Sequence, residues 1–239
     1  MKQKTGMFIL MHKKTKVFKR KGYYKLHVGA INGKKFKSDF YDDEGNNISI
    51  KNPNYCELTG IYNIWKNHLN DFDIFGFVHY RRYFVKYPKL ITKFNCLSQN
   101  DIEKLMSDCD IILPRKFNFE KTTYKTYFED GPGKEKDLIK LREVIGKLYP
   151  EYLGSYDEIM NFNANSYCNM FIMKRDNFDK YCEWLFYILF ELEKETDLTG
   201  YTASEARIYG YLSERLLNVW VKQNNLKLKY CRMLLTEKQ

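Results

Sequence analysis

Short apolar runs alternate along the chain with stretches in which apolar residues recur every three to four positions, a pattern that predicts an α/β fold. MFILM at 7–11 reads as a first strand, and the polar, turn-rich stretch 39–54 (DFYDDEGNNISIKNPN) as a loop. Leu58, Ile61, Tyr62 and Trp65 then fall at helical spacing and predict a helix from about Tyr55 to Leu69. DIFGFVHYRRYF at 73–84 reads as a strand ending in a polar, basic segment. Ser98 opens an S-x-x-D before IEKLM, a capping-box-like helix start. DIILP at 110–114 is a short buried strand stopped by proline, and the polar, aromatic stretch 115–134, with Gly-Pro-Gly at 131–133, is a loop or lid candidate.

An amphipathic helix follows in KEKDLIKLREVIGKLYP, and Pro150 opens another short one. YCNMFIMK at 167–174 predicts a strand, followed by an unusually apolar helix over about 176–194 and a second long helix over 203–222. LKLKYCRML reads as a last strand. With no internal repeat, low-complexity tract or linker, one domain spanning 1–239 is expected.

Charge changes this picture at one end. The net charge is +10, yet residues 1–37 contain twelve Lys or Arg and no acid, while the remaining 202 residues hold 28 basic and 30 acidic side chains. Such a patch attracts a polyanion, either an anionic bilayer or nucleic acid, or is a solvated basic face. No RNA- or DNA-binding signature accompanies it, so no nucleic-acid partner is expected. No apolar run is long enough for a transmembrane helix, and the first residues lack the length and cleavage site of a signal peptide. The six cysteines, with no CxxC spacing, read as reduced cytosolic thiols rather than a zinc site or disulfide framework.

Four constellations could carry chemistry. His79-Tyr80-Arg81-Arg82-Tyr83 follows the apolar run IFGFV, and ligands of open α/β sheets bind outside the carboxyl ends of strands. Two arginines there could hold a diphosphate, but period two puts Arg81 and Arg82 on opposite faces unless the strand has ended or bulged. Arg207, Gly210 or Tyr211, and Glu214 form one line along a helix, beside the apolar line Ile208, Leu212, Leu216 and Val219. A carboxylate on such a groove wall could take a proton from a sugar hydroxyl; an ordinary salt bridge is the alternative. The third is the loop of Asp42, Asp43, Asn46, Asn47 and Ser49, followed by Asn52, Asn54 and Glu57. Its short polar groups suit hydroxyls and riboses, Asp43 and Asn47 among them, but also simply make turns. The fourth is His12, after the first strand, within reach of a base or phosphate, or structural. The Asp-x-Asp strings at 71–73 and 108–110 precede strands, the wrong end for a metal and a diphosphate.

The blocks GNNISIKNPNYCELTGIYNIWKN, FGFVHYRRYF, YCNMFIMKRDNFDKYCEWLFYILFELE and ARIYGYLSERLLNVW resemble, in order, those of a bacterial family first filed as a domain of unknown function, DUF4422, common in capsular and exopolysaccharide gene clusters. The resemblance runs from about residue 7 to 235 and is loose over 12–37. It implies a GT-A-like glycosyltransferase fold, a mixed central sheet flanked by helices. It also implies transfer from a nucleotide-sugar donor, a UDP-sugar such as UDP-galactofuranose, to a lipid-linked glycan at the cytoplasmic face of an anionic membrane. On that reading Glu214 is the base, with Glu57 as second candidate, and Arg81 and Arg82 hold the diphosphate. His12, His79, Tyr80, Arg207, Asn169 and Ser213 complete the substrate-binding candidates together with Asp43 and Asn47. GT-A enzymes typically carry Asp-x-Asp where this chain has His-Tyr-Arg-Arg, so no metal site is assigned and dependence on Mg²⁺ or Mn²⁺ stays open. The alternative is a non-enzymatic basic module that binds a polyanion. Convergence of Arg81, Arg82, Glu57 and Glu214 on one cleft separates the two from dispersal over the surface.

Overall fold

The computed structural model describes residues 3–87 and 94–235, so Lys2 of the basic segment lies outside the described residues. β1 (Thr5–Met11), β2 (Tyr23–His27), β3 (Phe40–Tyr41) and β4 (Ile74–His79) are parallel, in the spatial order β3–β2–β1–β4. Every residue of β1 is buried, as expected of a parallel strand covered on both faces. Phe8 and Leu10 join the core on one side; Met7, Ile9 and Met11 join the core on the other.

Between β3 and β4 run α1 (Asn52–Tyr55) and α2 (Leu58–His68). The single helix expected from Tyr55 is thus interrupted, because Cys56 sits in the left-handed region at φ 52°. Gly60 lets α2 lie close on the sheet: a Cβ there would come within 2.6 Å of Val28 and 2.9 Å of Leu26.

The strand expected over 73–84 is a hairpin. β4 ends at His79, the chain turns at Tyr80–Arg81, and β5 (Arg82–Val85) returns with Arg82 opposite His79. α3 (Gln99–Met106) starts at Ser98, whose side chain forms a reciprocal capping box with Asp101. β6 (Ile111–Pro114) follows. The stretch 115–134 is more ordered than a loop: β7 (Phe117–Asn118), α4 (Thr123–Lys125) and a π-helical turn over Thr126–Asp130 bury Thr123, Thr126 and Tyr127.

Next come α5 (Glu135–Leu148), α6 (Leu153–Asn161), β8 (Ala164–Asn165), β9 (Phe171–Lys174) and α7 (Arg175–Lys194). α8 (Ile208–Gln223) and β10 (Leu228–Leu235) follow. α8 begins later than the expected 203 because a 3-10 turn over Glu205–Arg207 precedes it. Its apolar line Ile208, Leu212, Leu216 and Val219 is fully buried.

The result is a mixed α/β fold, an eight-stranded sheet flanked by helices. Beyond β4, β9 and β5 are antiparallel neighbours, and β10 joins β5 to β6. β9 pairs with Ile74–Phe77 only, so the sheet splits at the carboxyl end of β4. Among the described residues no helix is long and apolar enough to cross a membrane.

Candidate functional site

In the parallel half the strand order reverses between β1 and β4, and a crevice forms outside the carboxyl ends of two such strands. A cleft of about 610 Å³ lies there, with His12, Glu57, His79, Tyr80, Arg81, Arg82, Arg207 and Glu214 in its wall. The hairpin turn explains how two successive arginines reach it. Arg81 leaves the strand in the turn and Arg82 begins the return strand, so the alternation of an extended strand no longer separates them. Tyr80 is the platform beneath: its ring meets the His12 ring edge-on at 5.3 Å, and the Arg81 guanidinium lies 5.1 Å from its centre. Burial, then the charges of Lys13, Arg81 and Arg207, hold His12 below the usual histidine range.

His79 Nε2 lies 2.6 Å from the carbonyl oxygen of Cys168. A carbonyl only accepts, so Nε2 carries the proton and Nδ1 is left as an acceptor in the neutral ring. Burial keeps the ring neutral by lowering its pKa, against the opposing pull of Glu57. Cys168 also donates its N–H to Glu214 Oε1 at 2.9 Å. The segment entering β9 is therefore clamped between a histidine from β4 and a carboxylate from α8.

Glu214 is pushed up to about 7, first by burial and then by Glu57. Glu57 accepts from Asn169 Nδ2 at 2.8 Å, and the same amide group reaches the Gly210 carbonyl at 3.1 Å. Ser213 Oγ lies 3.0 Å from Asn169 Oδ1. Asn169 and Ser213 are both buried behind the wall, where they hold the two carboxylate-bearing elements together rather than line the cleft.

Three non-glycine residues at this site have positive φ: Cys56 at 52°, Cys168 at 78° and Asn169 at 48°. Asparagine tolerates this conformation, whereas cysteine has no such preference, so both cysteines are held by their surroundings. Gly210 makes room for the Cys56 kink, since a Cβ there would stand 3.0 Å from the Cys56 sulfur. Arg207 Nε donates to that sulfur at 3.1 Å, and its guanidinium lies 5.1 Å from the Tyr211 ring centre. Burial raises the Cys56 and Cys168 thiols to about 12, so neither is a nucleophile at neutral pH. Sequence reasoning placed Tyr211 on the helix line it now shares with the cleft but passed over Cys56 and Cys168; no residue-type signal marks a left-handed cysteine.

The structure puts Asp43 and Asn47 outside the cleft. Asp43 pairs with Lys35 at 2.7 Å. Asn47 closes its own turn, donating to the carbonyls of Asp43 and Gly45 and accepting from the Ser49 N–H. Asp42 is buried and accepts from the N–H groups of Gly29 and Ala30 and the hydroxyls of Ser49 and Thr59. The loop's own structure thus consumes Asp42, Asp43, Asn47 and Ser49, while Asn52 and Glu57 of the same stretch reach the cleft wall. The Asp-x-Asp strings are likewise structural: Asp73 holds Arg175, Asp108 holds Lys229, and Asp110 accepts from the Lys227 N–H. Among the described residues no three His, Cys, Asp or Glu groups are arranged to hold a metal ion.

The family model described as domain of unknown function DUF4422 matches residues 6–225. In three dimensions the chain is similar to the apo structure of the bifunctional glycosyltransferase WbbM, with a TM-score of 0.90 and 30% sequence identity. That match covers 98% of this chain and 45% of the WbbM chain, so this chain spans less than half the length of that protein. No curated protein matches by sequence.

Proposed function

The chain belongs to the DUF4422 family, and on that premise we propose that it transfers a sugar from a nucleotide donor to a hydroxyl group of a glycan. The observation that carries this reading is the meeting of three arginines and two glutamates in one cleft at the strand-order reversal. A non-enzymatic basic module needs no carboxylates in a concave site. The likeness to a glycosyltransferase over nearly the whole chain supports the enzyme reading.

In the reaction proposed, the acceptor oxygen bonds to the anomeric carbon as the bond from that carbon to the diphosphate breaks. Negative charge grows on the leaving diphosphate, and preorganised cations facing it lower the barrier. Arg81 and Arg82 are assigned that role, because the hairpin turn delivers both to one wall. Arg207 joins the wall from the turn that leads into α8, the helix that carries Glu214. Glu214 receives the acceptor's proton: a carboxylate with a pKa near 7 is matched to general-base work at neutral pH. Glu57 is the second candidate, held in the wall by Asn169. Neutral His79 positions the Cys168 segment and offers Nδ1 to a substrate hydroxyl. The described residues hold no group of three or more His, Cys, Asp or Glu side chains fit for a metal ion, and the reaction is written without Mg²⁺ or Mn²⁺.

The finer assignments complete the proposal. The fold is taken to be of GT-A type, the donor to be a UDP-sugar such as UDP-galactofuranose, and the acceptor to be a lipid-linked glycan of capsule or exopolysaccharide assembly. The lysines of the first 37 residues, basic without one acid, would hold the protein to the cytoplasmic face of an anionic membrane. Calorimetric titration against a panel of nucleotide sugars tests the reading. One donor is expected to bind and, with a glycan acceptor, to release nucleoside diphosphate; no binding by any nucleotide sugar overturns it.

A further inference from the structure

A second concavity, about 500 Å³, lies between α3, β5, the end of β6 and β10. Its wall carries Lys86, Lys104, Arg115 and Arg232 against a single acid, Asp101. That acid is already neutralised: Lys86 pairs with it at 2.8 Å, and it also caps α3 through Ser98. Lys104, Arg115 and Arg232 have no carboxylate partner among the described residues. Three cations gathered in a hollow without counter-charge repel one another, and an anion relieves that cost.

The same hollow holds two aromatic side chains that burial does not explain. Tyr87 is 64% exposed and Tyr230 44% exposed, and both line it. Tyr230 and Arg232 share one face of β10 by the period of a strand, so a ring and a guanidinium stand side by side. An exposed ring suits the C–H face of a sugar, and its hydroxyl suits the sugar's polar edge. A guanidinium suits a carboxylate or phosphate on the next unit.

One strand runs from the main cleft to the hollow. β5 starts at Arg82 in the cleft and ends at Val85 in the hollow, roughly 10 Å away at strand rise. Beside it the basic segment spans the same interval. Lys13 lies 5.9 Å from the Tyr80 ring at the cleft, and Arg20 donates at 2.8 Å to the carbonyl of Cys96, next to Leu97 in the wall of the hollow.

We propose that this second concavity binds the anionic part of a saccharide chain whose growing end lies in the main cleft. The ligand class is a glycan bearing uronate or phosphate groups. A concave site edged by sugar-sized aromatic rings fits such a chain better than it fits a flat bilayer. Its role as an acceptor subsite rests on the transfer function proposed above; the binding itself does not.

The test is titration of the whole chain with a short oligogalacturonate, with a neutral maltooligosaccharide of equal length, and with vesicles of anionic lipid. The proteins compared are the native chain, the double variant Arg115→Ala, Arg232→Ala, and Arg82→Ala, each checked for an unchanged thermal transition. The oligogalacturonate is expected to bind more tightly than the neutral chain, and to bind the double variant on the order of ten- to a hundred-fold more weakly, as for loss of charge-assisted hydrogen bonds. Arg82→Ala should leave that affinity unchanged, and the double variant should bind UDP as the native chain does. Equal affinity of native chain and double variant overturns the proposal, as do equal binding of acidic and neutral chains and binding of vesicles alone. UDP binding without saccharide binding would remove the second site and leave the transfer reading standing; saccharide binding without UDP binding would do the reverse.

Discussion

Glu214 is removed from water at the cleft wall and stands near a second carboxylate, and both effects favour its protonated form. Its pKa rises from an ordinary 4.5 to about 7. The folded protein therefore holds this proton more tightly than the unfolded chain. The associated stability is fully present below 4.5 and is lost as pH rises through 7. Glu214→Gln keeps an oxygen for the Cys168 N–H but carries no charge. At pH 8 this variant is expected to be more stable than the native protein, by up to about 3 kcal/mol. At pH 4 the difference should vanish. Urea melts at the two pH values check this, and equal effects at both would contradict the buried-carboxyl assignment. Catalysis should move the other way. Only the ionised form accepts a proton, so transfer should rise as pH increases through about 7, and the Gln variant should lose roughly 10²–10⁴-fold.

At the scale of elements, the site depends on how the entry to β9 is pinned. Asn169 links Glu57 of the α1–α2 junction to Gly210 and Ser213 of α8, while its own backbone is left-handed. Asn169→Ala removes these bonds and puts a less tolerant residue at that φ. A loss of about 2–4 kcal/mol is expected from two or more buried hydrogen bonds plus the backbone term, with transfer reduced because Glu57 and Cys168 lose their positions. Chemical denaturation measures the first and initial rates the second; an unchanged midpoint would show that the linkage carries no load.

Elements were legible in the sequence where the pattern was long or the chemistry local. The run MFILM, the stripe through Ile208, Leu212, Leu216 and Val219, and the Ser98 cap all appear close to where periodicity put them. The hairpin at Tyr80–Arg81 was not legible, because no glycine, proline or asparagine marks the turn; tertiary pairing of β5 with β10 makes it. The kink at Cys56 and the turns at Cys168 and Asn169 are likewise imposed from outside the local sequence. Asp43 and Asn47 illustrate the opposite limit: the same polar residues serve a ligand or a turn equally well, and only folding chooses.

Across the whole molecule, charge is divided by position in the chain. The first 37 residues carry twelve positive side chains and no acid, the remaining 202 carry 28 basic and 30 acidic ones, and Lys13 brings the basic segment to the rim of the cleft. Each lysine near an anionic surface contributes about 1 kcal/mol, within a Debye length. Co-sedimentation with anionic vesicles at low salt, reversed at high salt and absent with neutral lipid, is expected; equal binding to both lipids would remove the membrane assignment. The gathering of distant residues into one cleft belongs to this scale too. Residues 12, 57, 79–82, 207 and 214 meet only because the strand order reverses between β1 and β4. The sequence suggested each candidate singly, through strand ends and a polar helix line, and their meeting needed the topology.

The central claim is that this cleft binds a nucleoside diphosphate through its hairpin arginines. The most direct test is calorimetric titration of UDP into the native chain, Arg81→Ala and Arg82→Ala, each with its thermal transition verified. Each charge-assisted contact contributes roughly 1.5–3 kcal/mol, so the affinity of each variant is expected to fall about ten- to a hundred-fold with the fold intact. Undiminished UDP affinity in both variants, or no UDP binding by the native chain, would contradict the claim.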